Sequence, residues 1–305
     1  MNAQIRERVL RALTRNRIPG FHFAGNFLEV SYDRIDPQAT RVSLEPGAHC
    51  LDRNGETSIG AIAMIADIAL AASVRAALDS MTTRLATVSM HLQFTGAAMT
   101  GRVEGEGAFQ GFIEGATARQ GLARMSIHCG RRLACFGTGA FMALAPPPGV
   151  TMHPVVTERA SDAQDVTEGT LDEEERTILA RADAALASQA AFIDAFWGYE
   201  PLKTPEGAVC VMKNGAHAGN RVGHVQGGLL VGLGATTARA ALATEWTLAS
   251  ATASFVSPGE GDELRAASSI AHQGRETAVV RTVVTGIGAR RVLEMLTTHA
   301  RRGGI

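Results

Sequence analysis

Gly47-Ala48-His49-Cys50-Leu51-Asp52-Arg53-Asn54-Gly55-Glu56-Thr57-Ser58-Ile59-Gly60 stands 168 residues ahead of a second copy of itself, Gly215-Ala216-His217-Ala218-Gly219-Asn220-Arg221-Val222-Gly223-His224-Val225-Gln226-Gly227-Gly228. Six of the fourteen positions are identical at this constant offset, and Asp52 over Asn220 is nearly isosteric. Self-similarity at a fixed spacing marks a duplicated unit. A chain of 305 residues has room for about two domains.

The residues that follow each copy match in kind. Ala61 to Leu78 and Leu229 to Leu242 are long runs of Ala, Gly, Ile, Leu and Met with almost no charge. Both are too long for a strand and apolar nearly all round, so each predicts a buried helix. Strand-like runs come next: Leu85–Phe94, Gly101–Phe109, Ala118–Cys129 and Leu133–Ala143, then Leu248–Phe255, Glu263–His272, Thr277–Thr285 and Val292–His299. Gly130-Arg131, Pro258-Gly259, Gln273-Gly274 and Gly286-Ile287-Gly288 punctuate them as turns. Each copy therefore predicts a strand, a buried helix and several antiparallel strands. Joining the copies edge to edge would hide two free edges in one continuous sheet. Pro146-Pro147-Pro148-Gly149 ends the first copy, and the polar, acidic stretch Ser161 to Glu175 predicts a linker. Thr170-Leu171-Asp172-Glu173 predicts a capping box with a solvated acidic helix start at Glu173–Glu175.

Composition excludes several functions. The net charge of -1 and the 5% aromatic content give neither a basic field nor a stacking surface for nucleic acid. No apolar run is expected to reach the roughly 18 residues that span a bilayer. Cys50, Cys129, Cys135 and Cys210 form no Cys-x-x-Cys pair and predict reduced, buried thiols in a cytoplasmic protein. The Arg-rich first 17 residues read either as a transit peptide or as a short helix packing Ile5, Val9, Leu10 and Leu13 on the body, and helical spacing favours the second.

Asn220-Arg221-Val222-Gly223-His224-Val225-Gln226-Gly227-Gly228 resembles the motif of phenylacetate-pathway type hotdog thioesterases. That motif runs Asn, two residues, Gly, two residues, His-Gly-Gly, then an apolar helix carrying an Asp. Here Gln226 replaces the His and Ala235 stands at the Asp position, whereas Ala66-Asp67-Ile68-Ala69 of the first copy resembles the family's Ala-Asp-x-Ala. The resemblance implies an α+β chain with a tandem (double) hotdog fold, each unit an antiparallel sheet wrapped around one buried central helix. It implies units at 1–149 and 185–305, with an acidic linker and helix at 150–184. It also implies an acyl-CoA thioesterase with one active site between the halves, a homodimer, and no cofactor beyond the coenzyme A of the substrate. No metal, nucleic acid or membrane is expected.

Under that resemblance Asp67 is the nucleophile or general base, beside Asn220, Gln226 and Gly227, while Ala235 faces the degenerate Asp52, Ser58 and Ile59. An ionised carboxylate in an apolar helix is costly unless paired or functional. Gly227 and Gly228 open a helix, where unpaired N–H groups could hold an oxyanion. Asn220 could hold the carboxylate or water, or could simply cap its turn. Thr87 could hold the attacking water, or be an ordinary β-branched strand residue. Arg275 could meet a coenzyme A phosphate or be a solvated turn residue. His49 and His217, present in both copies, read as structural. Two rivals stay open: a hydratase or dehydratase using His224 with Asp67, and a non-catalytic acyl-CoA-binding module.

Overall fold

The computed structural model describes residues 2–18, 22–78, 83–146, 148–149 and 166–303. Residues 150–165, part of the expected linker, lie outside the described residues, as do 79–82 and 147.

The first half runs α1 (Asn2–Asn16), α2 (Phe23–Leu28), β1 (Ser31–Arg34), β2 (Thr40–Leu44), α3 (Ile59–Ala76), β3 (Arg84–Phe94), β4 (Val103–Phe112), β5 (Gln120–Cys129) and β6 (Arg132–Leu144). The second runs α4 (Glu173–Ala187), α5 (Phe192–Trp197), β7 (Leu202–Thr204), β8 (Gly207–Lys213), α6 (Gly227–Ala241), β9 (Trp246–Phe255), β10 (Glu263–Gln273), β11 (Thr277–Thr285) and β12 (Arg291–Arg301). The twelve strands of the described residues form one sheet, ordered β1-β2-β4-β5-β6-β3-β9-β12-β11-β10-β8-β7. The two halves repeat one strand order and meet at β3 and β9, which pair antiparallel from Ser89 opposite Ser254 to Gln93 opposite Ser250. That junction joins what would be two open edges.

Local chemistry explains the elements. In β11 the alternate residues Ala278, Val280, Thr282 and Val284 are buried, the period-two pattern of a sheet with one covered face. Helix α3 is 18 residues long and, by length and composition, apolar enough to cross a membrane, which corrects the expectation that no run reaches that length; its burial in the core accounts for the composition. Ser58 caps α3 by accepting from Ala61 N at 3.3 Å, and Gln226 caps α6 at the matching position. The preceding loops share one geometry. Leu51 bridges Thr57, and Gly219 bridges Val225. Gly55 (φ +76°) and Gly223 (φ +80°) hold the left-handed turn position that glycine tolerates.

Helices α3 and α6 touch backbone to backbone. A Cβ on Gly228 would stand 2.6 Å from Ala63 O and Met64 Cα, and one on Gly232 would stand 2.7 Å from Gly60 Cα. Under the offset of 168, Gly60 corresponds to Gly228 and Met64 to Gly232, so the crossing is pseudo-symmetric. Each copy thereby sets its central helix against the loop of the other.

The likeness between the two halves reaches further toward the N-terminus than the motif suggests. Helices α1 and α4 each precede a short Phe-rich helix, and Phe23, Phe27, Phe192 and Phe196 interleave, with Phe27 and Phe196 centroids 5.1 Å apart. His49 meets Phe27 edge-on at 5.7 Å, and His217 meets Phe196 at 5.9 Å. Burial depresses both imidazoles to about 3, so they pack as neutral rings. Helix α4 runs through residues 184 and 185, where a boundary was expected. Its capping box is Asp172 with Glu175, two residues later than expected. Glu175 is not solvated: Arg17, just beyond α1, donates to it at 2.7 and 2.5 Å.

Candidate active site

Asp67 lies midway along α3 and is 4% exposed. The helix crossing places its carboxylate against the start of α6. Gly228 N donates to Asp67 Oδ2 at 3.3 Å, and Thr87 Oγ1 donates to Oδ1 at 3.1 Å. Gln226 Oε1 accepts from Gly228 N at 2.6 Å, which turns the amide nitrogen of Gln226 toward the carboxylate. Burial raises the Asp67 carboxyl from its ordinary 3.8 to about 6, and hydrogen bonds from Thr87, Gln226 and Gly228 hold it from rising further. The site thus unites a helix residue and a strand residue of the first half with a helix cap of the second.

Thr87 reaches Asp67 from an irregular strand. The β3–β6 register shifts between Thr87 and Ser89, a bulge of the type that re-aims side chains. The β3–β9 ladder covers only Ser89 to Gln93, so the Arg84–Val88 segment lines a cavity. This cavity, about 380 Å³, is bounded by Asp67, Thr87, Gln226, Gly227 and the 255–259 segment. A Cβ on Gly227 would lie 3.0 Å from both Asp67 Oδ2 and Thr87 Oγ1, so glycine keeps the space before the carboxylate open.

Several expected roles change. Gly228 N–H is engaged by Gln226 and Asp67, and its missing side chain admits the backbone of α3, so it is not an open oxyanion donor. Asn220 lines the cavity but caps its own turn: its Oδ1 accepts from Val222 N at 2.9 Å and His224 N at 3.2 Å, as Asp52 does for Asn54 and Glu56. His224 also lines the cavity. Arg84 Nη2 donates to its Nδ1 at 3.2 Å, which leaves the proton on Nε2, 3.1 Å from Glu260 Oε1. Neither ring nitrogen is paired with Asp67, which disfavours the hydratase reading. Arg275 follows β10 in the turn to β11, exposed and not among the cavity-lining residues.

The opposite interface lacks the counterparts of these residues. Phe94 and Phe255 end the matching strands β3 and β9, and the matching bulge lies between Leu248 and Ser250, so Leu248 takes the place of Thr87. Ala235 replaces Asp67, Ser58 replaces Gln226 and Ile59 replaces Gly227. Sequence reasoning missed Leu248, because the offset between copies drops from 168 to 161 between loop and strand. It also missed His22, Tyr32, Arg75, Arg84 and Arg221 as cavity residues. Among the described residues no cluster of three or more His, Cys, Asp or Glu could hold a metal ion.

Solved structures share this architecture. A 12:0-ACP thioesterase from Umbellularia californica matches over 87% of the chain and 94% of its own, with a TM-score of 0.53 and 10% identity. A protein assigned as an oleoyl thioesterase in Lactobacillus plantarum matches over 88% and 98%, with a TM-score of 0.52 and 8% identity. The chain has the fold of these thioesterases. A tesB protein from Mycobacterium avium subspecies paratuberculosis matches over 89% and 96%, with a TM-score of 0.49 and 13% identity. No protein-family model matches the sequence, and no curated protein does.

Proposed function

We propose that this chain is a tandem hotdog acyl-CoA thioesterase that hydrolyses its substrate at the single Asp67 site between the two units. The observation that carries the reading is the Asp67 carboxylate, buried yet gathered by Thr87, Gln226 and Gly228 beside an apolar cavity. A carboxyl titrating near 6 is ionised at neutral pH and basic enough to take a proton from water. In this mechanism Asp67 deprotonates a water held by Thr87 and Gln226, and the hydroxide attacks the thioester carbonyl. Gly227, the first residue of α6, supplies an N–H with no intrahelical acceptor at the positive helix end, where the oxyanion develops. Collapse of the tetrahedral intermediate releases the coenzyme A thiolate and the free acid. Gln226 does not titrate, so it orients the carboxylate and water, and proton transfer falls to Asp67.

Coenzyme A enters only as part of the substrate, and no other cofactor is needed. Exposed apolar side chains on the sheet, including Phe136 and Leu296, suit association of two chains into a homodimer. The four cysteines are free and buried, in keeping with a cytoplasmic setting. The test is free-thiol release across straight-chain, aromatic and polycyclic acyl-CoA thioesters, read beside enoyl-CoA absorbance. Thiol release supports the proposal. Hydration without thiol release, or binding without turnover, overturns it.

A further inference from the structure

The thioesterase reading leaves part of the cavity unexplained. On α3, Ile68, Ala71, Ala72 and Arg75 line it together. Their spacing is i, i+3, i+4 and i+7, so they form one stripe along the helix. Arg75 lies eight residues beyond Asp67, about 12 Å along the axis. Between the two charged residues the floor is small and apolar. Arg221 and Tyr32 line the same cavity as Arg75, with Tyr32 close enough to feel Arg221, Arg75 and Asp67.

These charges are close together. Burial pulls the Arg75 guanidinium down to about 10, and the nearby Arg221 adds to the effect. Burial lowers Arg221, and Tyr32 acts on both arginines. Arg75 donates to Thr83 O at 2.6 Å, which fixes the guanidinium at the end of its helix. Thr87 and Gly228 donate to Asp67, and Gln226 stands beside them. The Asp67 carboxyl is perturbed by burial and by Thr87, Gln226 and Gly228, with no guanidinium among the causes. Two arginines beside a phenol, sharing a cavity with the apolar stripe of α3, match a carboxylate.

We propose that the acyl group of the substrate carries a second carboxylate, with the thioester at Asp67, an apolar chain over Ala71 and Ala72, and the distal carboxylate at Arg75 and Arg221. Tyr32 donates a further hydrogen bond to that carboxylate. The proposal rests on the thioesterase reading. Coenzyme A phosphates are the other source of an anion, but Arg75 is 9% exposed and sits along the central helix beyond Asp67, a place suited to the acyl end.

The test compares hexanoyl with adipoyl and octanoyl with suberoyl thioesters, each made both on coenzyme A and on phosphate-free N-acetylcysteamine. Wild-type kcat/KM should favour the carboxylate-ended member roughly tenfold to a hundredfold on both carriers, the range for a charge-assisted contact. Arg221→Gln, Arg75→Gln and Tyr32→Phe should each shrink that ratio. Calorimetric binding of suberate against octanoate reads the same preference without turnover. If no thioester is cleaved but suberate binds and Arg221→Gln abolishes it, the hydrolase reading fails and the carboxylate site stands. If Arg75→Gln does not fold, the wild-type ratios and the other variants decide. Equal or methyl-favouring wild-type ratios, with suberate binding no better than octanoate, overturn the proposal. So do variants that slow every coenzyme A thioester regardless of chain end while sparing the N-acetylcysteamine series, since the arginines would then hold coenzyme A phosphates.

Discussion

Replacing Asp67 with asparagine should stabilise the protein at pH 7 while removing its proposed base. The folded carboxyl titrates near 6 against an ordinary 3.8, so the fold favours the protonated form. Stability from this group is complete below the unfolded pKa and declines as pH rises from about 4 to about 6. A shift of roughly two units, at ~1.36 kcal/mol per unit, is a penalty of about 3 kcal/mol at neutral pH. Asparagine carries no charge to desolvate. Its single acceptor oxygen serves fewer of the donors that now meet Asp67, which returns about 1 kcal/mol of that gain. The expected net effect is about 2 kcal/mol of added stability at pH 7, narrowing close to zero by about pH 4.5. Urea unfolding of wild type and Asp67→Asn at both pH values measures it. A variant less stable at pH 7, or a gap independent of pH, would refute a carboxylate held ionised against its surroundings.

Three further outcomes follow from the same geometry. The kcat/KM for thioester hydrolysis should rise with pH through about 6 and then level off, because the base must be ionised; Thr87→Val removes a bond that favours the ionised form and should move that limb to higher pH. Gly228→Ala places a methyl 2.6 Å from the backbone of α3 and should cost roughly 1–3 kcal/mol in a denaturation series, whereas the matching Gly60→Ala meets mainly the Tyr199 and Trp197 side chains and should cost less. Ile59→Ala and Ala235→Gly at the opposite interface should leave turnover close to wild type in the thiol-release assay, and loss of activity in folded protein would contradict the division between the two interfaces.

The duplication was legible because loop chemistry is local. Glycine at 55 and 223 and the capping residues at 58 and 226 meet the same turn geometry in both copies, so sequence identity survives there. Strand positions followed from alternation and helix positions from uniform apolarity, and both agree with the observed elements to within a few residues. Asp67 stood out as a charge in an apolar run, and Gly227 as part of a helix start. Other features had no such signal. Helices α2 and α5 have six residues each, too short for a periodic pattern, and share little beyond two phenylalanines. Tyr32, Arg75 and Arg221 come from a strand, a helix end and a loop, and only the crossing of α3 and α6 brings them to one cavity. Gly228 looked like an oxyanion donor in sequence; that its N–H meets Gln226 and Asp67 depends on the helix crossing, which no linear pattern encodes.

The most direct test of the central claim is the rate of free-thiol release at pH 8 from an acyl-CoA that the wild-type chain cleaves, compared with Asp67→Asn under saturating substrate. The shape of the site is retained in the variant and the base is lost, so kcat should fall by at least ~10²-fold. A folded Asp67→Asn protein that releases thiol at the wild-type rate would contradict the account.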